Sequence, residues 1–309
     1  MHRRAFLATL SATLGASALQ SRTSTPQPPR TRLILLGTGG GPRPRKTIVA
    51  TSQVIVAGGR LYVVDCGDGV ARQLVSANLS LDALANVFIT HHHSDHNADY
   101  GNLLLLAWAV GLRTRVDTWG PPPIEQITRS FLEMSAYDIS VRMRDEQHPP
   151  LVPLIHAHDV KAAGAVMKDA NVTVTCAIVD HPMVEPALAY RFDTPDRSIV
   201  VSGDTTRSDA LIRLARNADV LVHEAYFPAA VDRIAARVPT ATKLKEHIVA
   251  SHTSAEECGR VAAAAGVKTL VLSHLVPPDD PLVTEQMWID AARAHFTGRI
   301  IVGRDLMEV

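Results

Sequence analysis

Five groups with ligand chemistry fall within the stretch Thr90–His91–His92–His93–Ser94–Asp95–His96. Imidazoles and a carboxylate are the donors that a borderline divalent ion such as Zn²⁺ takes. The residues just before, Val87–Phe88–Ile89–Thr90, are apolar and mostly β-branched, the composition of a buried strand. Alternate residues at a strand end face one side, so His91 and His93 can act together. Asp95 and His96 follow where the chain must turn. One tetrahedral ion cannot use all of these groups. The H-x-H-x-D-H pattern therefore points to two adjacent metals, with His91 and His93 on one and Asp95 and His96 on the other. A solvated histidine-rich turn is the plain alternative, and it leaves unexplained the other His and Asp residues that end strands further along.

The elements that must position these groups alternate between strand and helix. Leu33–Leu36 reads as a strand that stops at Gly37–Thr38–Gly39–Gly40–Gly41, a turn without the G-K-[ST] ending of a phosphate loop. Thr51–Val56 and Arg60–Asp65 form a hairpin about Ala57–Gly58–Gly59. Val70–Asn78, Asn102–Leu112 and Ile124–Met134 read as helices, with a short strand at Arg115–Trp119. Residues 136–160 read as irregular, either a lid that brings His148, His156 and His158 to a pocket or a solvated segment; substrate specificity is expected in a lid around residues 136–160 and 226–250, neither of which carries a readable code. Asn171–Asp180, Ala187–Phe192, Ser198–Ser202, Val220–Val222, Thr269–Ser273 and Ile300–Val302 read as strands. Ser254–Ala255–Glu256–Glu257 is a capping box, opening a helix that closes at Gly266. His181, Asp204, His223–Glu224 and His274 each stand just past the end of an apolar strand. Layered α/β proteins build their sites at such strand ends. The basic loop Arg43–Pro44–Arg45–Lys46 is either solvated or turned toward an anionic substrate.

Met1–His2–Arg3–Arg4–Ala5–Phe6–Leu7 opens with a twin arginine, then an apolar run to about Leu19 with an A-x-A site at Ala16–Ser17–Ala18. That is the form of a twin-arginine signal peptide over residues 1–18, which delivers a folded protein to the periplasm. The run is too short to span a membrane and has no Cys for a lipid, so no stable membrane anchor is expected. Residues 19–31, rich in Ser, Thr and Pro, read as a linker, and residues 32–309 as one large domain. The 31 basic and 31 acidic residues balance, which gives no general pull toward nucleic acid or an anionic membrane. Cys66, Cys176 and Cys258 have no motif spacing and are expected as buried thiols. Nothing in the composition decides between a monomer and a homodimer.

Together these residues resemble the metallo-β-lactamase fold superfamily from about Leu33 to Asp305. The resemblance is carried by Leu36–Gly37–Thr38–Gly39, Asp65–Cys66–Gly67, His91–His96, His181, Ser202–Gly203–Asp204, His223–Glu224–Ala225, His252–Thr253–Ser254 and Ser273–His274. His-Glu-Ala followed by a later His-Thr-Ser is similar to the branch holding ribonuclease Z, its phosphodiesterase relatives and the metallo-type arylsulfatases. The resemblance implies an α/β fold, a four-layer αββα sandwich with metals at one edge of the sheets. It implies His91, His93 and His181 on one metal, Asp95, His96 and His274 on a second, and Asp204 bridging. Two zinc ions are implied; seven ligands without a thiolate leave Mn or Fe open. Asp65 would support the histidine stretch, and Glu224 would orient His252 beside a leaving group.

The activity implied is hydrolysis of a small anionic ester, a phosphodiester or an aryl sulfate, through a metal-bridging hydroxide. A lactonase or other ester hydrolase of the same fold is the alternative. A non-catalytic metal-dependent binding domain is the rival of a different class, and it would be expected to lack ligands. A tRNA substrate is not expected. Ribonuclease Z grips RNA with an arm between the positions matching His181 and Asp204, and here those residues are 23 apart with a strand between them.

Overall fold

In the computed structural model, which describes residues 30–309, the apolar strands sort into two seven-stranded sheets. The first takes β1 (Arg32–Gly37), β2 (Ser52–Ala57), β3 (Arg60–Val64), β4 (Leu84–Phe88), β5 (Val116–Gly120) and β6 (Ile155–Asp159). The second takes β7 (Gly164–Lys168), β8 (Thr173–Val179), β9 (Ala187–Asp193), β10 (Ser198–Val201), β11 (Val220–Tyr226), β12 (Thr269–Val276) and β13 (Arg299–Val302). Strand β14 (Met307–Glu308) returns to pair antiparallel with β1 at the edge of the first sheet. The expected signal peptide and most of the expected linker lie outside the described residues. Thr31, assigned to the linker by composition, already belongs to the domain: its hydroxyl donates to Asp196 Oδ1 at 2.6 Å and its N–H to Oδ2 at 3.1 Å.

Period-two alternation divides the apolar side chains between two cores. Leu33 and Leu35 of β1 face the second sheet, while Ile34 and Leu36 face helices on the outside. Between the sheets, Phe88 packs edge-on against Tyr190 and Phe192, with ring centroids 5.4 and 5.0 Å away. Such edge-to-face pairs add to the stabilisation from burial alone. Helices Val70–Ser76 and Tyr100–Ala109 cover the outer face of the first sheet through Leu74, Leu103 and Trp108. Helices Asp209–Leu214, Ala255–Ala265 and Glu285–Arg293 cover the second through Leu211, Val261 and Trp288. The result is the expected αββα sandwich. Strands β3 to β6 run parallel, as do β10 to β13, so their carboxyl ends share one edge of each sheet.

Three expectations need correction. Strands β11 and β12 do not stop at Val222 and Ser273 but run on to Tyr226 and Val276. His223, Glu224 and His274 are therefore inside buried strands, where polar residues looked like strand ends. Residues 136–160 are not irregular and form no lid. Helix Ala136–Asp145 lays Ile139 and Met143 on the first core, and β6 closes the sheet edge. His148 packs against Trp108, His156 bonds the Pro153 carbonyl, and His158 stacks on Trp119 and bonds Asp117 at 2.7 Å. Strands β7 and β14 and the helices Val231–Ala236, Leu244–Ser251 and Glu285–Arg293 were not foreseen.

The serine half of the capping box forms: the Ser254 hydroxyl accepts from the Glu257 N–H at 3.3 Å, while the Glu257 carboxylate turns to Arg260 at 2.7 Å, and Gly266 closes the helix at φ 66°. All three cysteines are buried and unpaired. Among the described residues no helix is long and apolar enough to cross a membrane.

Candidate metal centre

Seven side chains from four segments converge at the shared strand edge: His91, His93, Asp95, His96, His181, Asp204 and His274. Each position has a local cause. Asp65 leaves β3 at φ 58°, and its carboxylate accepts from Thr90 N–H at 2.8 Å, Thr90 Oγ1 at 2.9 Å and His96 Nδ1 at 2.8 Å. With Nδ1 so engaged, His96 turns Nε2 toward Asp204, 3.3 Å from Oδ2. His181 Nδ1 donates to the Ser251 carbonyl at 3.0 Å, which frees its Nε2 for the centre. Gly203, at φ 60°, sets Asp204 after β10; a Cβ there would meet the Leu188 carbonyl oxygen at 2.6 Å.

His274 sits at a bulge. Glu224 pairs with Ser273 and Ala225 with Leu275, so His274 has no partner across the ladder and its side chain is re-aimed inward. The Gly-rich turn closes over it: a Cβ on Gly40 would lie 2.7 Å from the His274 ring, and the Gly41 N–H donates to Asp95 Oδ2 at 2.8 Å. Asp305 holds that turn by accepting from Thr38 and Val49 N–H groups at 2.9 and 2.7 Å. Gly37–Gly41, read from sequence as no nucleotide loop and counted among the motifs of the family resemblance, is thus a close-packing element of the centre.

His91 Nε2, His93 Nδ1 and His181 Nε2 face one another, 3.1 Å between the first two and 3.4 Å between the last two. Burial holds His91 well below the ordinary imidazole value, lowers His93, and brings His181 down to about 4. These three are neutral near pH 7 and offer lone pairs. Burial opposes charge on Asp95 and Asp204, but the surrounding imidazoles, His96 and His274 foremost, hold both ionised. Burial likewise opposes charge on His96, yet Asp204, Asp65 and Asp95 together raise its affinity for a proton well above normal. That negative field is one a divalent cation would answer. Asp204 Oδ1 and His96 Nε2 are buried and make no hydrogen bond among the described residues. Buried polar atoms ordinarily have partners, so these orphans, in a set of imidazoles and carboxylates without thiolate, fit a bound metal.

The expected Glu224–His252 pair also assembles. Glu224 Oε1 accepts from the Thr205 and Thr253 N–H groups at 3.2 and 3.1 Å and faces His252 Nδ1 at 3.2 Å. Burial opposes charge on His252, but Glu224 outweighs it and pushes the value up to about 9. His252 Nδ1 also lies 3.8 Å from Asp204 Oδ2, which places the pair at the centre. His223 is not part of these groups; its Nδ1 donates to the Glu224 carbonyl at 2.7 Å.

One nearby residue escaped the sequence reading. His247 lines the cavity above the centre, with its ring 5.8 Å from that of His252 and 6.1 Å from those of His93 and His181. Its signal was the i, i+4 spacing to Ser251, whose hydroxyl lies 3.3 Å from Nδ1; that signal is visible only once Leu244–Ser251 is known to be helical. In the basic loop, Arg43 and Arg45 line the same cavity, whose volume is about 510 Å³.

Two sheets between helices, with this cluster at their common edge, define a hydrolase of the metallo-β-lactamase fold, a fold that usually binds divalent metals. The β-lactamase superfamily domain matches residues 60–275. Ribonuclease Z of Mycobacterium bovis BCG is 34% identical over 280 residues, covering 90% of this chain and 97% of that one. The metallo-β-lactamase fold protein YhfI of Bacillus subtilis superposes with a TM-score of 0.67 at 22% identity, over 90% of this chain and 98% of that one. The short form of human tRNase Z gives a TM-score of 0.67 at 20% identity, over 90% and 98%. The chain belongs to the metallo-β-lactamase superfamily and, within it, to the ribonuclease Z branch.

These relatives remove one argument made from sequence. Between His181 and Asp204 the chain carries only β9, β10 and their turns. Yet the mycobacterial ribonuclease Z aligns over 97% of its own length, so no long arm separates the two proteins. A missing arm is therefore no ground for excluding tRNA.

Proposed function

We propose that this chain hydrolyses phosphodiesters at a centre of two divalent ions. His91, His93 and His181 would hold one ion, Asp95, His96 and His274 the other, and Asp204 would be shared. The observation that carries this reading is the gathering of six donors around the Asp204 carboxylate with the Glu224–His252 pair beside it. Zinc suits an imidazole-rich set, and the lack of thiolate admits Mn or Fe. When bound, the ions supply a water acidified toward neutral pH and a counter-charge for the ester oxygens.

The chain's own groups do the rest. Asp65, Ser251 and Gly41 fix His96, His181 and Asp95. A water that has lost one proton to solvent bonds through oxygen to phosphorus, the bond from phosphorus to the departing oxygen breaks, and that oxygen takes a proton from His252, which solvent then restores. Glu224 occupies Nδ1 of His252, which leaves Nε2 as the donor. The test is a screen of the zinc-loaded protein on nitrophenyl phosphodiesters, phosphomonoesters, sulfates and lactones, together with a tRNA precursor. Phosphodiesters are expected to turn over fastest; a metal-loaded protein inert toward all phosphodiesters would overturn the proposal. An aryl sulfate shares the charge and tetrahedral shape, and leading rates on sulfates would reassign the substrate while keeping the centre.

Asp65→Asn is expected to weaken metal binding by roughly 10–100-fold, the usual cost of removing a carboxylate that orients a ligating imidazole. Competition against a chelator measures this, and unchanged affinity would remove Asp65 from that role. We also propose export to the periplasm by the twin-arginine route. With Arg3 and Arg4 both replaced by Lys, cell fractionation should find an uncleaved precursor in the cytoplasm. Cleaved protein in the periplasm at normal yield would refute that route.

A further inference from the structure

The cavity over the centre has two chemistries. Its floor is polar, with His93, Asp95, Asp204, His252 and His274. One wall is apolar, made by Ile234, Val238, Leu244 and Ile248 of the segment 231–248 and by Val276 at the end of β12. Ile248 and Val276 pack into a small buried cluster with Tyr226 and Val231, which holds the wall in place. Val238 is 38% exposed, so apolar surface is left open beside a charged floor.

Three of the four Lys and Arg of this segment are paired with carboxylates, and the fourth, Lys243, is exposed and does not line the cavity. Arg233 pairs with Asp280 at 2.6 Å, Arg237 with Asp279 at 3.2 Å, and Lys245 with Asp232 at 2.6 Å. Arg43, across the mouth, also pairs with Asp279. A nucleic-acid surface works through Lys and Arg that neutralise phosphates, and bases are gripped by stacking on aromatic rings. No Phe, Tyr or Trp lines this cavity among the described residues. Its volume of about 510 Å³ suits a small ligand. Arg45 also lines the cavity, with its terminal guanidinium nitrogens donating to the Gly40 carbonyl at 2.6 Å and the Arg43 carbonyl at 3.1 Å.

We infer that the wall of segment 231–248 binds a compact apolar alkyl or aryl group of an anionic ester whose charged end lies over Asp204 and His252. The inference rests on the phosphodiesterase reading for the charged end only. Apolar groups entering such a wall gain affinity with each methylene removed from water.

The test uses 4-nitrophenyl alkyl phosphates from methyl to hexyl, which share one leaving group, on the zinc-loaded protein. Binding of methylphosphonate and hexylphosphonate is measured in parallel by calorimetry. Both kcat/KM and affinity should rise by roughly fourfold per fully buried methylene. Val238→Asp and Leu244→Asp should bring the hexyl-to-methyl ratio toward one, with metal content and melting temperature showing that the fold survives. A flat series in both rate and binding would overturn the inference, as would a gradient that persists in both folded variants. If no ester turns over but the phosphonates show the gradient, the phosphodiesterase reading fails and the wall stands. Cleavage of a tRNA precursor with a flat alkyl series would identify an RNA site and refute the wall's role. Should both variants misfold, the phosphonate series on the unaltered protein still decides.

Discussion

Asp204→Asn lowers turnover on every ester by on the order of 10³-fold, the equivalent of about 4 kcal/mol of transition-state stabilisation, and strips metal from the centre. Asn keeps the shape and removes the charge. Asp204 is 2% exposed, and its Oδ2 lies 3.3 Å from both His96 Nε2 and His274 Nε2 and 3.8 Å from His91 Nε2. Among the described residues it is the one carboxylate within 4 Å of imidazoles from both expected ligand sets. Burial alone would protonate it, and the surrounding imidazoles prevent this. Its folded value is depressed, so the charge persists as pH falls from neutral and is lost only in strong acid. Elemental analysis should show loss of at least one of two ions in Asp204→Asn. In His274→Ala, which removes a ligand from one set only, about one ion should be lost while the fold persists. Two retained ions and more than a tenth of the activity in Asp204→Asn would end the shared-ligand assignment. Finding only one tightly bound ion in the fully loaded, unaltered protein would end the two-metal assignment itself.

The parts of the site that were legible in sequence are those written as local patterns. His91 to His96 declares donors at strand-end spacing, and Ser202–Gly203–Asp204 follows an apolar run. The unbroken apolar run Leu33–Leu36 announces a strand buried on both faces. What stayed hidden depends on contacts distant in sequence. His223, Glu224 and His274 looked like strand termini because they are polar, and only the paired neighbour strand shows them inside β11 and β12. The segment 231–248 was unreadable for a different reason. Ile234, Val238, Leu244 and Ile248 face a cavity or a four-residue cluster rather than the main core, so no long stripe marks the helices, and His247 was passed over with them. Residues 136–160 drew attention by their histidines. Those histidines instead satisfy Trp108, Asp117 and Trp119 on the far sheet edge. The fold was thus written in residues that bury against it. The chemistry was written in residues that repeat at strand ends, and the substrate wall was written in neither.

His252→Ala costs on the order of 10²–10⁴ in turnover when the leaving group is an alkoxide, the range typical of a lost general acid, and much less when it is a nitrophenolate. An alkoxide departs as a strong base and needs a proton in the transition state. A nitrophenolate leaves as a stable anion. Glu224 holds His252 through Nδ1 at 3.2 Å, and burial, which opposes the proton, is outweighed so that the value stands at about 9. The value is raised, so the donor is present below it and is lost as pH rises through it. A metal pair would pull the value back, since its charge opposes that of imidazolium. Glu224→Gln removes the main stabilising charge. It should move the alkaline fall of the alkyl-ester rate to lower pH, with a smaller loss at the optimum than His252→Ala. Metal content should stay unchanged in both variants, because neither residue is assigned as a ligand. In His252→Ala, Glu224 keeps the Thr205 and Thr253 N–H groups, so the local backbone is still held. The measurement is kcat on matched alkyl and nitrophenyl esters across pH for the unaltered protein and both variants. Equal losses on the two leaving groups, or loss of metal in His252→Ala, would make His252 a ligand or a substrate-binding group and not the acid.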